Sequence, residues 1–190
     1  TGVEGNSSGF GLKKIGIEIG SNNHIIVDKN GKTNLDNIYA VGDVIGPPWL
    51  AHVSSSEGLY VVEHIAKLNP KKIDYDCVPA CTYSKPEIGS IGLSQKILDE
   101  RGIDYKVVKS FFNANGKAVA SDSTEGFIKI LVSDRNQILG AHIIGSNATE
   151  MISEFSLAMS NNLSVENILD SIHPHPCLLY TSPSPRDCRL

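Results

Sequence analysis

The sequence has few of the residues that define several protein classes. Of its 190 residues only 4 are Cys, 2 are Met and 1 is Trp, and aromatic residues make up 6%. Cys77, Cys81, Cys177 and Cys188 are too few and too unevenly placed for a secreted disulfide scaffold, so a reducing compartment is expected. Long hydrophobic runs are missing too. A membrane span needs roughly 18 apolar residues, and the longest apolar stretches, such as residues 138–144, are strand-sized. Neither a membrane crossing nor a signal peptide is predicted. Positive charge is not in excess: 17 Lys and Arg face 21 Asp and Glu, a net charge of -4, with no basic cluster to meet a phosphate backbone. A nucleic-acid partner is therefore not expected.

What remains is the composition of a mixed α/β protein: 41% hydrophobic, 20% charged, 17 Gly and 9 Pro. Disorder, collagen-like repeats and coiled coil are disfavoured. A chain of this length buries roughly two-thirds of its unfolded surface, enough for one large domain or two small ones. Thr1 stands in mid-pattern and the only methionines are Met151 and Met159. These features suit an interior piece of a longer polypeptide.

Two strands, at 15–19 and 24–27, are predicted, the second ending in a tight turn at Asn30-Gly31, followed by a short strand at 38–41 that stops at Gly42-Asp43. Beyond Gly46-Pro47-Pro48, residues 51–68 have small and apolar residues at helical spacing. The polar Asn69-Pro70-Lys71-Lys72 link places a boundary near residues 70–77. After it come a strand at 78–83, a helix capped by Ser94 and closed by Gly102, a half-buried strand at 105–112, and a hairpin of 127–132 with 138–144. Ala148, Met151, Ile152, Phe155, Ala158 and Met159 line one helical face, and Ser164 starts another helix. The expected fold is an α/β remnant followed by an α+β domain, an antiparallel sheet with helices on one face.

Two places carry chemistry. A strand ending in Gly42-Asp43 before a helix puts a carboxylate where α/β sheets bind ligands. Asp43 either caps the turn or accepts hydrogen bonds from ligand hydroxyls; local pattern leaves both open. His173-Pro174-His175-Pro176 alternates imidazoles with prolines that hold the backbone extended. A fixed histidine suits acid/base work near neutral pH, while a solvated loop fits the spacing equally. Only Cys177 stands by as a third ligand, too weak a set for zinc, so no metal site is assigned. Cys77 and Cys81 do not match a Cys-x-x-Cys redox pair and read as packing residues. Glu150 and Glu154 read as a polar helix face. For Glu57 and Glu63 the pattern offers no partner.

Thr33 to Asp43 resembles the second flavin-binding motif of the pyridine-nucleotide disulfide oxidoreductases. Trp49-Leu50-Ala51-His52 follows where that family approaches the flavin ring, and Val78-Pro79 through Pro86-Glu87 resembles the start of its dimerisation domain. Ala114 to Ala118, His142 to Gly145 and His173 to Pro176 narrow the resemblance to the members that oxidise dihydrolipoamide. It covers residues 10–176 and implies two parts: residues 1–76 from the FAD/NAD-binding region and residues 77–176 as dimerisation domain.

The resemblance further implies an enzyme with FAD and NAD as cofactors. Asp43 would hold the ribityl chain, and Trp49, Leu50, Ala51 and His52 would line the isoalloxazine. His175 would be the acid/base, reaching the partner subunit's site in a homodimer, with His173 supporting the turn. A lipoyl-bearing acyltransferase is the implied protein partner, and bacterial cytoplasm or mitochondrial matrix the implied location. Alternatives of another kind are a dimerisation module, an inactive relative, or a reductase of another disulfide or a metal ion.

The departures are specific. Where the family places a Glu five residues beyond its histidine, this chain has Tyr180, and a phenol cannot stabilise imidazolium as a carboxylate does. Residues 177–190 do not resemble the family and read as an assembly artefact or, alternatively, a disordered tail. The Gly-rich dinucleotide fingerprint, the redox Cys-x4-Cys pair and the NAD domain do not occur in these 190 residues and are expected upstream of Thr1. The fragment is therefore expected to be inactive alone.

Overall fold

The computed structural model describes residues 2–180. The 177–190 tail lies beyond them from residue 181 onward. The chain divides between Asp74 and Tyr75 into two compact units.

In the first unit the three predicted strands reduce to single bridges, Ile19 with Ile25 and Lys32 with Tyr39. The reason is the lack of a ladder: an extended segment becomes a strand only when successive backbone groups find partners, and the described residues of this unit offer each segment one bridge. The Asp28 carboxylate closes the intervening turn, accepting the Asn30 and Lys32 N–H groups at 2.8 and 3.0 Å. A 3-10 turn at Gly42–Ile45 then leads into helix α1, Ala51–Ile65. Val53, Glu57 and Val61, four residues apart, form its buried stripe. The helix stops three residues short of the predicted end. Lys67 enters the left-handed region (φ 61°), and the N–H groups of Lys67 and Leu68 bond back to the His64 and Glu63 carbonyls, each at 3.0 Å. That is a Schellman closure, which apolar periodicity does not register.

The second unit is an antiparallel five-stranded sheet of order β1-β2-β5-β4-β3. Its strands are β1 (Ala80–Thr82), β2 (Glu87–Gly92), β3 (Lys106–Phe111), β4 (Gly126–Val132) and β5 (Ile138–Gly145). The β4–β5 hairpin forms as predicted, its turn held by Ser133, whose hydroxyl accepts the Arg135 and Gln137 N–H groups. Helix α2, Gln95–Arg101, has the predicted Ser94 cap and Gly102 stop. By contrast β3 is exposed on both faces, not half-buried, because it is the edge strand beyond β4 and the helix at 148–160 packs on β1, β2 and β5. Helix α4, Ala148–Ser160, lies on the sheet through Ala148, Met151, Ile152, Phe155 and Ala158, which join Ile91, Ile128, Ala141 and Ile143 in one core. Its N-terminal residue Asn147 supplies no cap. The Glu87 carboxylate does so from β2, accepting the Thr149 N–H at 3.1 Å and the Thr149 hydroxyl at 2.7 Å. Short helices α3 (Gly116–Ala120) and α5 (Val165–Asp170) complete the unit, α5 carrying a Ser164–Asn167 capping box.

Candidate functional site

In the first unit the functional residues gather where the Gly42–Ile45 turn packs on α1. Gly42 is buried with φ 76°, and a Cβ there would lie 2.8 Å from the Ser54 hydroxyl oxygen, so the turn sits against the helix without room for a side chain. Its N–H donates to the Glu57 carboxylate at 2.6 Å. Glu57, only 7% exposed, therefore braces the turn from inside α1. This brace fixes the next residue, Asp43, whose carboxylate is exposed and has no hydrogen bond among the described residues. Trp49 is also exposed, with its ring centroid 6.3 Å from that of His24. Leu50 is extended, and Ala51 and His52 open α1, both exposed. Asp43 and residues 49–52 thus flank one loop, with an acceptor on one side and a helix N-terminus on the other.

His175 belongs to the second unit. It is exposed and makes no hydrogen bond or ion pair among the described residues. The peptide joining it to Pro176 is cis. Its neighbour His173 is the anchored member of the pair. The His173 Nε2 lies 2.7 Å from the Glu154 carboxylate and its Nδ1 3.0 Å from the Ser171 carbonyl oxygen. Only 10% of the His173 side chain is exposed. The hydrogen bond to Glu154 raises the His173 pKa above its ordinary value, against the opposing effect of burial. Tyr180 stacks on His173, with centroids 5.5 Å apart and planes 9° off parallel. The carboxylate of this segment therefore serves His173 from α4. Sequence reasoning missed this, since Glu150 and Glu154 at i,i+4 resemble a solvated face.

Two further residues were missed. Glu57 meets a partner fifteen positions away, which spacing along one helix cannot show. Asn115 is 1% exposed and ties the chain beyond Pro176 to α3. Cys81 is unpaired, with its Sγ 3.8 Å from the Thr149 carbonyl oxygen; burial, then the charges of Glu150 and Glu87, push its pKa up. A thiol so placed is a packing group. No cluster of three potential metal ligands occurs, and no helix is long and apolar enough to cross a membrane, among the described residues.

Residues 78–181 match the family model described as pyridine nucleotide-disulphide oxidoreductase, dimerisation domain, and residues 1–58 match the model described as pyridine nucleotide-disulphide oxidoreductase. The chain is 40% identical over 182 residues to the dihydrolipoyl dehydrogenase of Rhizobium etli, covering 95% of this chain and 38% of that protein. It is 40% identical to that of Bacillus subtilis, covering 91% and 37%. To the human mitochondrial enzyme it is 42% identical, covering 89% and 33%. Among solved structures, LpdA from Mycobacterium tuberculosis superposes with a TM-score of 0.86 at 27% identity, covering 92% of this chain and 38% of that one. The HOCl-induced flavoprotein disulfide reductase RclA from Escherichia coli gives 0.81 at 26%, covering 92% and 40%. The chain thus spans less than two-fifths of these curated relatives' length. With more than half of its residues inside one model of that family, the chain belongs to the pyridine nucleotide-disulphide oxidoreductases.

Proposed function

We propose that this chain is the C-terminal part of a homodimeric dihydrolipoyl dehydrogenase, which oxidises protein-bound dihydrolipoamide to lipoamide with NAD+ as acceptor. The greatest support is its identity to dihydrolipoyl dehydrogenases of bacterial and mitochondrial origin alike, well above its identity to RclA. The residues of the first unit fit one side of a flavin. Asp43 offers an exposed carboxylate to ribityl hydroxyls, and Glu57 keeps it there by holding Gly42. Trp49, Leu50, Ala51 and His52 offer ring and backbone surface at the start of α1. Bound FAD would supply the two-electron relay between a redox disulfide and NAD+. His175 takes the proton from a dihydrolipoamide thiol, and the thiolate so formed attacks a disulfide sulfur. Its exposure leaves the imidazole open to such a substrate. The protein partner on this reading is a lipoyl-bearing acyltransferase of a 2-oxo acid dehydrogenase complex, in bacterial cytoplasm or mitochondrial matrix.

One observation favours a second reading, a dimerisation module or inactive relative: among the described residues no carboxylate reaches His175. A chimera separates the two. Residues 10–180 replace the corresponding stretch of the Bacillus subtilis relative, and flavin content is read from the absorption spectrum. The reading expects NADH-dependent lipoamide reduction that His175→Gln abolishes. A flavin-loaded dimer without turnover would establish the module instead. The 190-residue chain supplied with FAD, NADH and lipoamide is expected to show no reductase activity.

A further inference from the structure

The segment bearing His175 is fastened on both sides, while its imidazole has no partner among the described residues. Upstream, His173 is held by Glu154 and the Ser171 carbonyl. Downstream, Asn115 uses every hydrogen-bonding position of its carboxamide. Its Oδ1 accepts the N–H groups of Lys117 and Ala118 at 2.9 and 3.1 Å, and its Nδ2 donates to the carbonyls of Cys177 and Leu178 at 3.1 and 2.9 Å. The amide orientation is fixed by this set, because a reversed group would face donors with its own donors. The site is built into the core: Asn115 is 1% exposed, and Leu178 belongs to the core cluster.

We infer that Asn115 is a positioning residue for His175, its carboxamide tying the backbone just beyond that imidazole to the first turn of helix α3. This rests on the reading of His175 as the acid/base. Bonds to the backbone beside His175 hold the segment's course through each proton transfer, because they do not involve the ring that gains and loses the proton. Capping alone does not require this side chain. Asp, Ser or Thr caps a helix with its oxygen, and only the amide half of Asn115 reaches residues 177 and 178. The tie also explains how the segment holds its course whatever side chains follow Pro176, because it reads carbonyl groups and not side chains.

Asn115→Asp keeps the acceptor for Lys117 and Ala118 and removes the donor, so it separates tether from cap. Ser121→Ala is the control: it removes the Ser121 hydroxyl's bond to the Lys117 carbonyl and loosens α3 without touching residue 177 or 178. In the isotope-labelled 190-residue chain, N115D is expected to shift the carbonyl carbons of Cys177 and Leu178 and the ring resonances of His175, while the Lys117 and Ala118 amides stay near their wild-type positions. In the chimera, N115D is expected to lower kcat for lipoamide about tenfold with KM and flavin content unchanged, as for loss of alignment. Unmoved His175 resonances, or an equal loss in S121A, would show Asn115 to be a helix cap and overturn the inference. If H175Q retains turnover, the acid/base reading itself fails, independently of the tether reported by the carbonyl shifts.

Discussion

Gly89→Ala tests how closely α4 is seated on the sheet. Gly89 sits in β2 opposite Ile143, and its φ is not in the left-handed region, so Ala is compatible with the backbone and steric contact alone decides the outcome. A Cβ there would stand 2.5 Å from the Ala148 carbonyl oxygen and 3.0 Å from the Ile152 Cβ. Neither atom is the end of a flexible side chain. Relief requires α4 to lift by about 1 Å, but its first turn is held down by the Thr149 bonds to Glu87, of 3.1 and 2.7 Å. Overpacking of this kind costs about 1–3 kcal/mol, and loss of the cap adds about 1. The reduced freedom of the unfolded chain returns about 0.4–1 kcal/mol. A net loss of about 1–3.5 kcal/mol is expected, lowering the urea midpoint followed by far-UV circular dichroism by about 0.5–2 M. Gly58→Ala is the counterpart. Nothing lies within 4 Å of its Cβ inside α1, and a gain of about 0.5–1 kcal/mol is expected. A G89A stability within 0.5 kcal/mol of wild type would refute the close seating of α4.

Three further outcomes follow from single contacts. Glu57→Ala strands the buried Gly42 N–H, and a loss of about 1–3 kcal/mol in urea unfolding is expected, with Glu57→Gln retaining part of it as an acceptor. His142 has its pKa lowered by burial from 6.5, so its contribution is complete above pH 6.5 and is lost as pH falls toward the folded value. The stability of wild type relative to His142→Gln is therefore expected to decline on acidification; a flat difference would contradict it. His173 has the opposite sign. Its pKa is raised, chiefly by the bond to Glu154, so the pair's contribution is complete below pH 6.5 and lost as pH rises through the folded value. Wild type minus Glu154→Gln should be on the order of 0.5–1 kcal/mol near pH 6 and smaller near pH 9, with chemical unfolding at each pH as the measurement.

The second unit was legible where one element's own pattern decides its structure. α4 announces itself because the sheet under it covers a complete apolar stripe, Ala148, Met151, Ile152, Phe155 and Ala158. The β4–β5 hairpin is visible because both partners are near in sequence. β2 escaped: its Gly89 and Gly92 lower strand propensity, yet Gly89 is what lets α4 approach. α3 is five residues long, too short for a period, and its cap Asn115 spends half its bonding on residues more than sixty positions away. In the first unit, extended segments were recognisable as extended, but a ladder depends on partners that the described residues do not provide.

The candidate site divides along the same line. Asp43 and His175 are conspicuous because Gly-Asp after an apolar run and His-Pro-His-Pro are local patterns. The groups that hold them, Glu57, Glu154 and Asn115, look like ordinary polar positions until the chain is folded. Glu154 shows why. In sequence it is one of two acidic residues on a helix face, and nothing distinguishes it from Glu150. In the structure Glu150 stays exposed, whereas Glu154 is half-buried and meets an imidazole nineteen residues on. The carboxylate expected near His175 on the grounds of family spacing is replaced by Tyr180, and that ring covers His173 instead. Orientation of His175 therefore falls to bonds made by its backbone neighbours. A substitution at Glu154 or Asn115 should accordingly disturb His175 without contacting it, while Tyr180→Phe, which keeps the stacked ring and removes only the hydroxyl, should leave it in place.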